Sequence, residues 1–309
     1  MVDENTGAVL DALRKVDGFE GVSAESCQIQ RLGGLTNLVY RVETKGQSVI
    51  VRIPGAGTEA YIDRAVELHN AYVAADTGIA PKVLWGDGDT GVMISDCVEG
   101  IETMTPALFQ SRAGSPDRAG VALRALHEAK APFQFRFELF SMIDDYLAIL
   151  AEKDIDLPAG YFDIVAAAQP VKQLLQDHPV PLAPCHCDPL CENFLDDGQR
   201  MWIVDFEYSG MNDPLWDLGD LSVEAGFDDA QDLAMLTAYF GAPPSAAQVG
   251  RMVIYKAMCD LLWTLWGLIQ HADDNPAEDF WAYAVGRFDR CKALMTDPQF
   301  ERHMAAVRG

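Results

Sequence analysis

Basic residues are scarce in this chain. Lys and Arg together number 23 among 309 residues, against 47 Asp and Glu, for a formal net charge of -24. Neutralising a phosphate backbone takes clustered cations, so nucleic acid is excluded as a partner. Long apolar stretches are missing as well. No run approaches the ~20 residues that cross a bilayer, and the chain does not open on a basic segment followed by an apolar one. The expectation is a cytoplasmic protein without membrane insertion. The seven cysteines, at 27, 97, 185, 187, 191, 259 and 291, are odd in number and scattered, which excludes a disulfide framework. Cys185, Cys187 and Cys191 flank His186 but have no second matching pair, so zinc is not the favoured reading of that segment. Internal repeats and low-complexity stretches are absent too.

What is present suits a folded protein. The chain is 49% hydrophobic with a mean hydropathy of zero, enough for one large core or two joined ones, and two lobes are the natural reading. The negative balance fits plain solubility and equally fits attraction of a cationic small molecule; composition leaves both open.

The most informative stretch is His186-Cys-Asp-Pro-Leu-Cys-Glu-Asn193, followed by Asp205-Phe-Glu-Tyr-Ser-Gly-Met-Asn-Asp213-Pro-Leu-Trp-Asp217. Asp188 stands five residues before Asn193, and Asp205 comes twelve further on, after the short apolar run 201–204. Phosphoryl transfer asks a protein for positioning and charge neutralisation more than for covalent help. One carboxylate must take the proton of the acceptor hydroxyl. An amide oxygen and a second carboxylate must hold Mg²⁺, a hard cation that prefers oxygen ligands. Asp188 is therefore the candidate base, and Asn193 and Asp205 are the candidate metal ligands. The bland alternative, polar loop residues that happen to fall at this spacing, weakens because a strand leads into Asp205 and a helix start follows at Asn-Asp-Pro. His186 reads as a loop-orienting residue. Asp213 reads as an N-cap with Pro214 at the first helical position.

In these motifs the chain resembles the protein-kinase-like phosphotransferases of small molecules, including the aminoglycoside phosphotransferases, and most closely the choline/ethanolamine kinases. That family's loop reads His-x-Asp-x-x-x-x-Asn, and its metal-binding acid is followed by an acid and an aromatic, here Glu207 and Tyr208. The resemblance covers most of the chain and is weak between 105 and 180. It implies an α+β, protein-kinase-like two-lobed fold: a small N-terminal lobe with a five-stranded antiparallel sheet over 1–97, and a larger, mostly helical C-terminal lobe over 98–309.

Patterning along the chain agrees. A helix is predicted from Thr6 to Val16, and strands over Cys27–Leu32, Leu38–Glu43 and Ser48–Ile53, the last two turning at Lys45-Gly46. A helix over Ile62–Thr77 and strands over Pro81–Trp85 and Val92–Ser95 complete the small lobe. Helices are then predicted over 117–129, 139–153, 161–178, 214–225, 229–240, 246–271 and 277–296.

The remaining roles come from the resemblance. It implies ATP as donor, with Gly33, Gly34, Thr36 and Asn37 in the phosphate-covering turn, where a residue without Cβ admits close approach. Arg52 contacts the phosphates and pairs with Glu67. Asp96 and Val98 lie in the hinge that meets adenine, with Ile50 packing on the ring. Asp217 braces the catalytic loop. Trp263, Trp266, Tyr208 and Tyr283 wall the substrate pocket, with Glu207 and Glu224 adding negative potential. Chemistry supplies an independent reason for such a wall, because a trimethylammonium group has no N–H to donate and is best held by aromatic faces. Choline is thus the expected substrate and ethanolamine the alternative. Another amine or an aminoglycoside, and a catalytically inactive ligand sensor, stand further back.

Overall fold

The structure, a computed structural model, describes residues 5–33, 37–55, 62–153 and 155–309. After the helix Thr6–Leu13 (α1), strands Gln28–Arg31 (β1), Asn37–Thr44 (β2) and Gln47–Pro54 (β3) form a meander. Helix Arg64–Asp76 (α2) follows, its N-cap Asp63 accepting from the N–H groups of Ala65 and Val66. Strands Val83–Gly86 (β4) and Met93–Asp96 (β5) then complete a five-stranded sheet in the order β1-β2-β3-β5-β4, antiparallel throughout. The β2–β3 turn works because Lys45 and Gly46 both adopt positive φ, 51° and 76°, which twists a two-residue hairpin the way its strands twist.

Alternation sorts the two faces of this sheet. Tyr40, Val42, Val49, Val51 and Ile94 are buried together with Val9, Leu13 and Phe19 in a core of their own. The residues between them, Arg41, Ile50 and Arg52, point the other way; in register, Arg52 sits opposite Val39 and Met93.

The chain then enters a helical lobe. Its elements are Glu102–Thr103 (β6), Pro106–Ser111 (α3), Ser115–His127 (α4), Leu139–Glu152 (α5), Tyr161–Ala167 (α6), Gln169–Asp177 (α7), Ala183–Cys185 (β7), Phe194–Asp196 (β8), Met201–Ile203 (β9) and Gly210–Asn212 (β10). Pro214–Ala225 (α8), Asp229–Phe240 (α9), Ala246–Ala272 (α10), Phe280–Thr296 (α11) and Pro298–Arg308 (α12) complete it. Two short sheets, β6-β8-β9 and β10-β7, hold the segments that carry the site. The lobe's core is a second, larger apolar cluster, which also takes in Ala71, Val73 and Ala74 of α2.

The two-lobed α+β architecture matches the expectation, with local differences. The helix predicted over 161–178 is two helices, broken at Ala168 because Pro170 lacks an N–H and disfavours helical geometry before it. Helices α3 and α12 were not anticipated; each starts with proline after a capping side chain, Thr105 and Asp297. One expectation needs correction: α10 is long and apolar enough to pass as a membrane span by length and composition. Yet 89% of its most apolar window is buried, which fits its place as the central helix packed by α5, α8, α11 and α12.

Candidate active site

The loop between β7 and β8 carries Asp188 and Asn193. Its shape depends on Asp217, one turn inside α8 and fully buried. One Asp217 oxygen accepts from the Cys187 N–H at 2.8 Å; the other accepts from the His186 N–H at 2.7 Å and meets His127 Nε2 at 2.9 Å. His127 in turn meets the Tyr239 hydroxyl at 2.9 Å. The brace is needed because Cys187 is held at φ 68°, a left-handed conformation costly for a residue with a Cβ. His186 is fully buried and donates through Nε2 to the Val204 carbonyl at 2.9 Å, tying the loop to the strand that delivers Asp205. Burial lowers its imidazole below the ordinary 6.5 and keeps it neutral. Asp213 caps α8 through the Leu215 N–H at 3.0 Å and also accepts from Tyr255 and Arg251. Cys185, Cys187 and Cys191 are buried thiols whose pKa burial pushes up.

Asn193 donates from Nδ2 to the Asp188 carbonyl at 3.0 Å, so the amide nitrogen is spent within the loop and the amide oxygen is the end turned away from that bond. Asp205 also has positive φ, 67°. Its Oδ1 accepts from Arg52 Nη1 at 3.0 Å, across the two lobes, and Arg52 also pairs with Glu67. Glu67 is held a second time by Arg64 at 2.8 Å. Arg52 Nε and Nη2 are buried with no acceptor among the described residues. Oxygens of Glu67, Asp205 and Glu207 fall within 4.8 Å of one another. An all-oxygen set of this kind fits a hard cation, and the orphaned guanidinium N–H groups fit phosphate oxygens.

Glu207 stands elsewhere than the resemblance implies. It accepts from Asn37 Nδ2 at 3.1 Å and meets Arg64 Nη1 at 3.3 Å, on the Arg52 side of the site rather than among the aromatic rings. Burial, then the charge of Asp205, raises it from 4.5 to about 7. A carboxyl raised in the folded state favours folding fully below its unfolded pKa, and that contribution is lost as pH rises through the folded one. Stability of the ligand-free protein should therefore fall between about pH 4.5 and about pH 7, and Glu207→Gln, neutral at every pH, should reduce that slope. Urea midpoints across the window measure it; an unchanged slope would contradict the assignment.

On the other side of Asp188 lies an aromatic wall. Tyr208 and Trp263 meet edge-on at 5.5 Å between ring centroids, as do Trp266 and Tyr283 at 5.8 Å, and Trp266 Nε1 donates to the Tyr208 hydroxyl at 2.9 Å, joining the pairs. Two features bring acids to this wall. Gly219 lets α8 lie so close to α10 that a Cβ there would stand 2.7 Å from the Met252 carbonyl oxygen. On α8, Asp217, Asp220 and Glu224 share one face. Asp220 accepts from Trp263 Nε1 at 3.0 Å, and Glu224 pairs with Arg287, whose guanidinium lies 4.6 Å from the Tyr283 ring centre. Asp188 is half-buried; burial, then the charges of Asp220, Glu224, Glu207 and Asp205, push its carboxyl well above the usual range.

This geometry was compared with known proteins. The family model described as "Phosphotransferase enzyme family" matches residues 28–249. A crystal structure of a choline/ethanolamine kinase family protein from Mesorhizobium loti is 56% identical, with a TM-score of 0.88, covering 98% of this chain and 99% of that one. The chain belongs to the choline/ethanolamine kinase family of phosphotransferases. The choline kinase LicA from Streptococcus pneumoniae is 29% identical with a TM-score of 0.73, over 87% of this chain and 93% of that one. The human protein named ethanolamine kinase 1 is 26% identical over 83% of this chain and 65% of that protein. The enzyme is accordingly a phosphotransferase with an alcohol group as acceptor.

Against this family's expected site, the structure brings Asp188, Asn193, Asp205, Asn37, Arg52, Glu67 and Glu207 together at one end and Tyr208, Glu224, Trp263, Trp266 and Tyr283 at the other. Gly33 is described, with open space where a Cβ would stand; Gly34 and Thr36 lie outside the described residues. Asp96 ends β5, and Val98 follows it in the segment leading to the helical lobe. Sequence reasoning passed over Asp220, Arg287, Arg64 and His127. The one signal for Asp220 was its place on the α8 face between Asp217 and Glu224.

Proposed function

We propose that this enzyme is an ATP-dependent kinase that phosphorylates the hydroxyl of choline, yielding phosphocholine and ADP. The observation that carries this reading is the aromatic wall beside Asp188: four contiguous rings, with Asp220 bonded to Trp263. Rings of this kind attract a quaternary ammonium by about 0.5 to 2 kcal/mol each, and they do so without asking it for an N–H.

In this reading Asp188 accepts the hydroxyl proton as attack begins, and burial, which raises its pKa, makes it a stronger base than an exposed carboxylate. Arg52, with two nitrogens lacking an acceptor among the described residues and its position locked by Glu67, neutralises phosphate charge. Asn193 and Asp205 are the residues that would hold Mg²⁺, and when bound the cation offsets the charge of the transferring phosphoryl group. His186 and Asp217 keep the loop in shape. Ethanolamine is the second reading, favoured by one observation: beside Trp263, an Asp220 oxygen that meets no N–H or O–H donor among the described residues.

A coupled ADP-release assay with Mg-ATP against choline, ethanolamine, their partly methylated relatives and an aminoglycoside tests the assignment. The highest kcat/KM should fall to choline, and turnover of the aminoglycoside alone would overturn it. Trp263→Ala should raise KM for choline roughly tenfold, through lost cation–π attraction and packing, while KM for ATP stays near wild type. Equal effects on both substrates would mark Trp263 as a core residue only.

A further inference from the structure

Asp220 is 1% exposed on the buried face of α8. One of its oxygens accepts from Trp263 Nε1 at 3.0 Å, whereas the other, Oδ1, meets no N–H or O–H donor among the described residues, with only the weakly donating Cys259 thiol nearby. The neighbouring acids are accounted for. Glu224 pairs with Arg287, and Asp260 is held by Arg287 at 3.2 Å and by Arg290 at 2.5 Å. Arg287 comes near Asp220, but both its terminal nitrogens are spent on Glu224 and Asp260, and its Nε has no acceptor either, so the two do not satisfy each other. Leaving a carboxylate oxygen buried and unmatched is costly. Burial, then the charge of Glu224, push the Asp220 carboxyl well above its usual range, against the smaller opposing pull of Arg287. Asp220 is also the foremost charge acting on Asp188. A cation seated against Trp263 and within reach of Asp188 would supply what Asp220 lacks.

We propose that Asp220 is the anionic contact for the substrate's ammonium group, and that its free oxygen accepts an N–H from amines that carry one. Asp220 then sets how the site ranks primary against quaternary ammonium. This rests on the amino-alcohol reading above. The rings reward each added methyl group equally, while Asp220 rewards the presence of at least one N–H, so the two devices pull in opposite directions at the last methylation.

The test is Asp220→Asn. Asparagine keeps an oxygen for Trp263 and places an NH₂ donor where the free oxygen stood, facing the substrate N–H. A charge-assisted hydrogen bond of ordinary strength corresponds to a fall in kcat/KM for ethanolamine of about thirtyfold. Choline, which loses only the charge, should fall severalfold less, and KM for ATP should hold. Equal losses for both amines would overturn the role, leaving Asp220 as a support for Trp263. The wild-type enzyme decides the matter without any variant. From ethanolamine through its N-methyl and N,N-dimethyl derivatives to choline, the gain in kcat/KM should drop at the last step, and a constant gain per methyl would overturn the proposal. A wild-type enzyme that turns over none of these amines would overturn the underlying reading of the site instead.

Discussion

Asp188→Asn should lower kcat about a thousandfold and leave nucleotide binding close to wild type. The substitution is nearly isosteric and removes only the capacity to take a proton. Asp188 enters the loop's hydrogen bonds through its backbone carbonyl, which accepts from Asn193, so the loop should keep its shape. Removing a carboxylate from the crowd formed with Asp220, Glu224, Glu207 and Asp205 also relieves repulsion, and the variant should be at least as stable as the wild type. Steady-state rates paired with nucleotide titration separate chemistry from binding. Retention of full activity would show that the hydroxyl proton leaves by another route.

Asp217→Ala should be the most damaging change away from the reacting atoms. It would strand the N–H groups of His186 and Cys187 and the ring of His127, all buried, by removing the acceptor they share. Breaking a buried network of this kind costs about 3 to 5 kcal/mol. Because Cys187 holds a left-handed conformation that these bonds help to secure, together with the Trp216 Nε1 bond to its carbonyl at 2.9 Å, the loop should relax and kcat should fall with stability. Asp217→Asn, which keeps one acceptor oxygen, should lose less of both. Urea unfolding read beside kcat is the check. A variant of wild-type stability would mean that the loop's shape is set elsewhere.

Legibility differed by level. The sheet could be read strand by strand because alternation and turn residues are local: Lys45-Gly46 announces the β2–β3 turn, and Asp213-Pro214 announces the start of α8. The break between α6 and α7 is hard to read because the apolar pattern continues through it and Pro170 alone marks it. Asp188, Asn193 and Asp205 were readable because the chemistry fixes their spacing within one short stretch.

Partners that meet across the fold were not readable. Asn37 and Glu207 are 170 positions apart, and His127 and Asp217 are 90 apart, and no local signal links either pair. Glu207 shows the cost of this, since its neighbours in sequence are two aromatics, Phe206 and Tyr208, but its neighbours in space include Asn37 and Arg64. Arg287 looks like an ordinary helix cation and is instead the counter-ion of Glu224 and Asp260.

By itself the sequence determined the order of elements, the spacing of the phosphotransfer residues and the presence of aromatic residues where a cation would bind, because periodicity, capping and motif spacing act over a few residues. Only the tertiary structure decided which charges are compensated. Glu67 and Glu224 are ion-paired, whereas Asp220 makes no ion pair among the described residues, a distinction that depends on how the elements pack, since a carboxylate's state is set by what burial brings against it rather than by its neighbours along the chain.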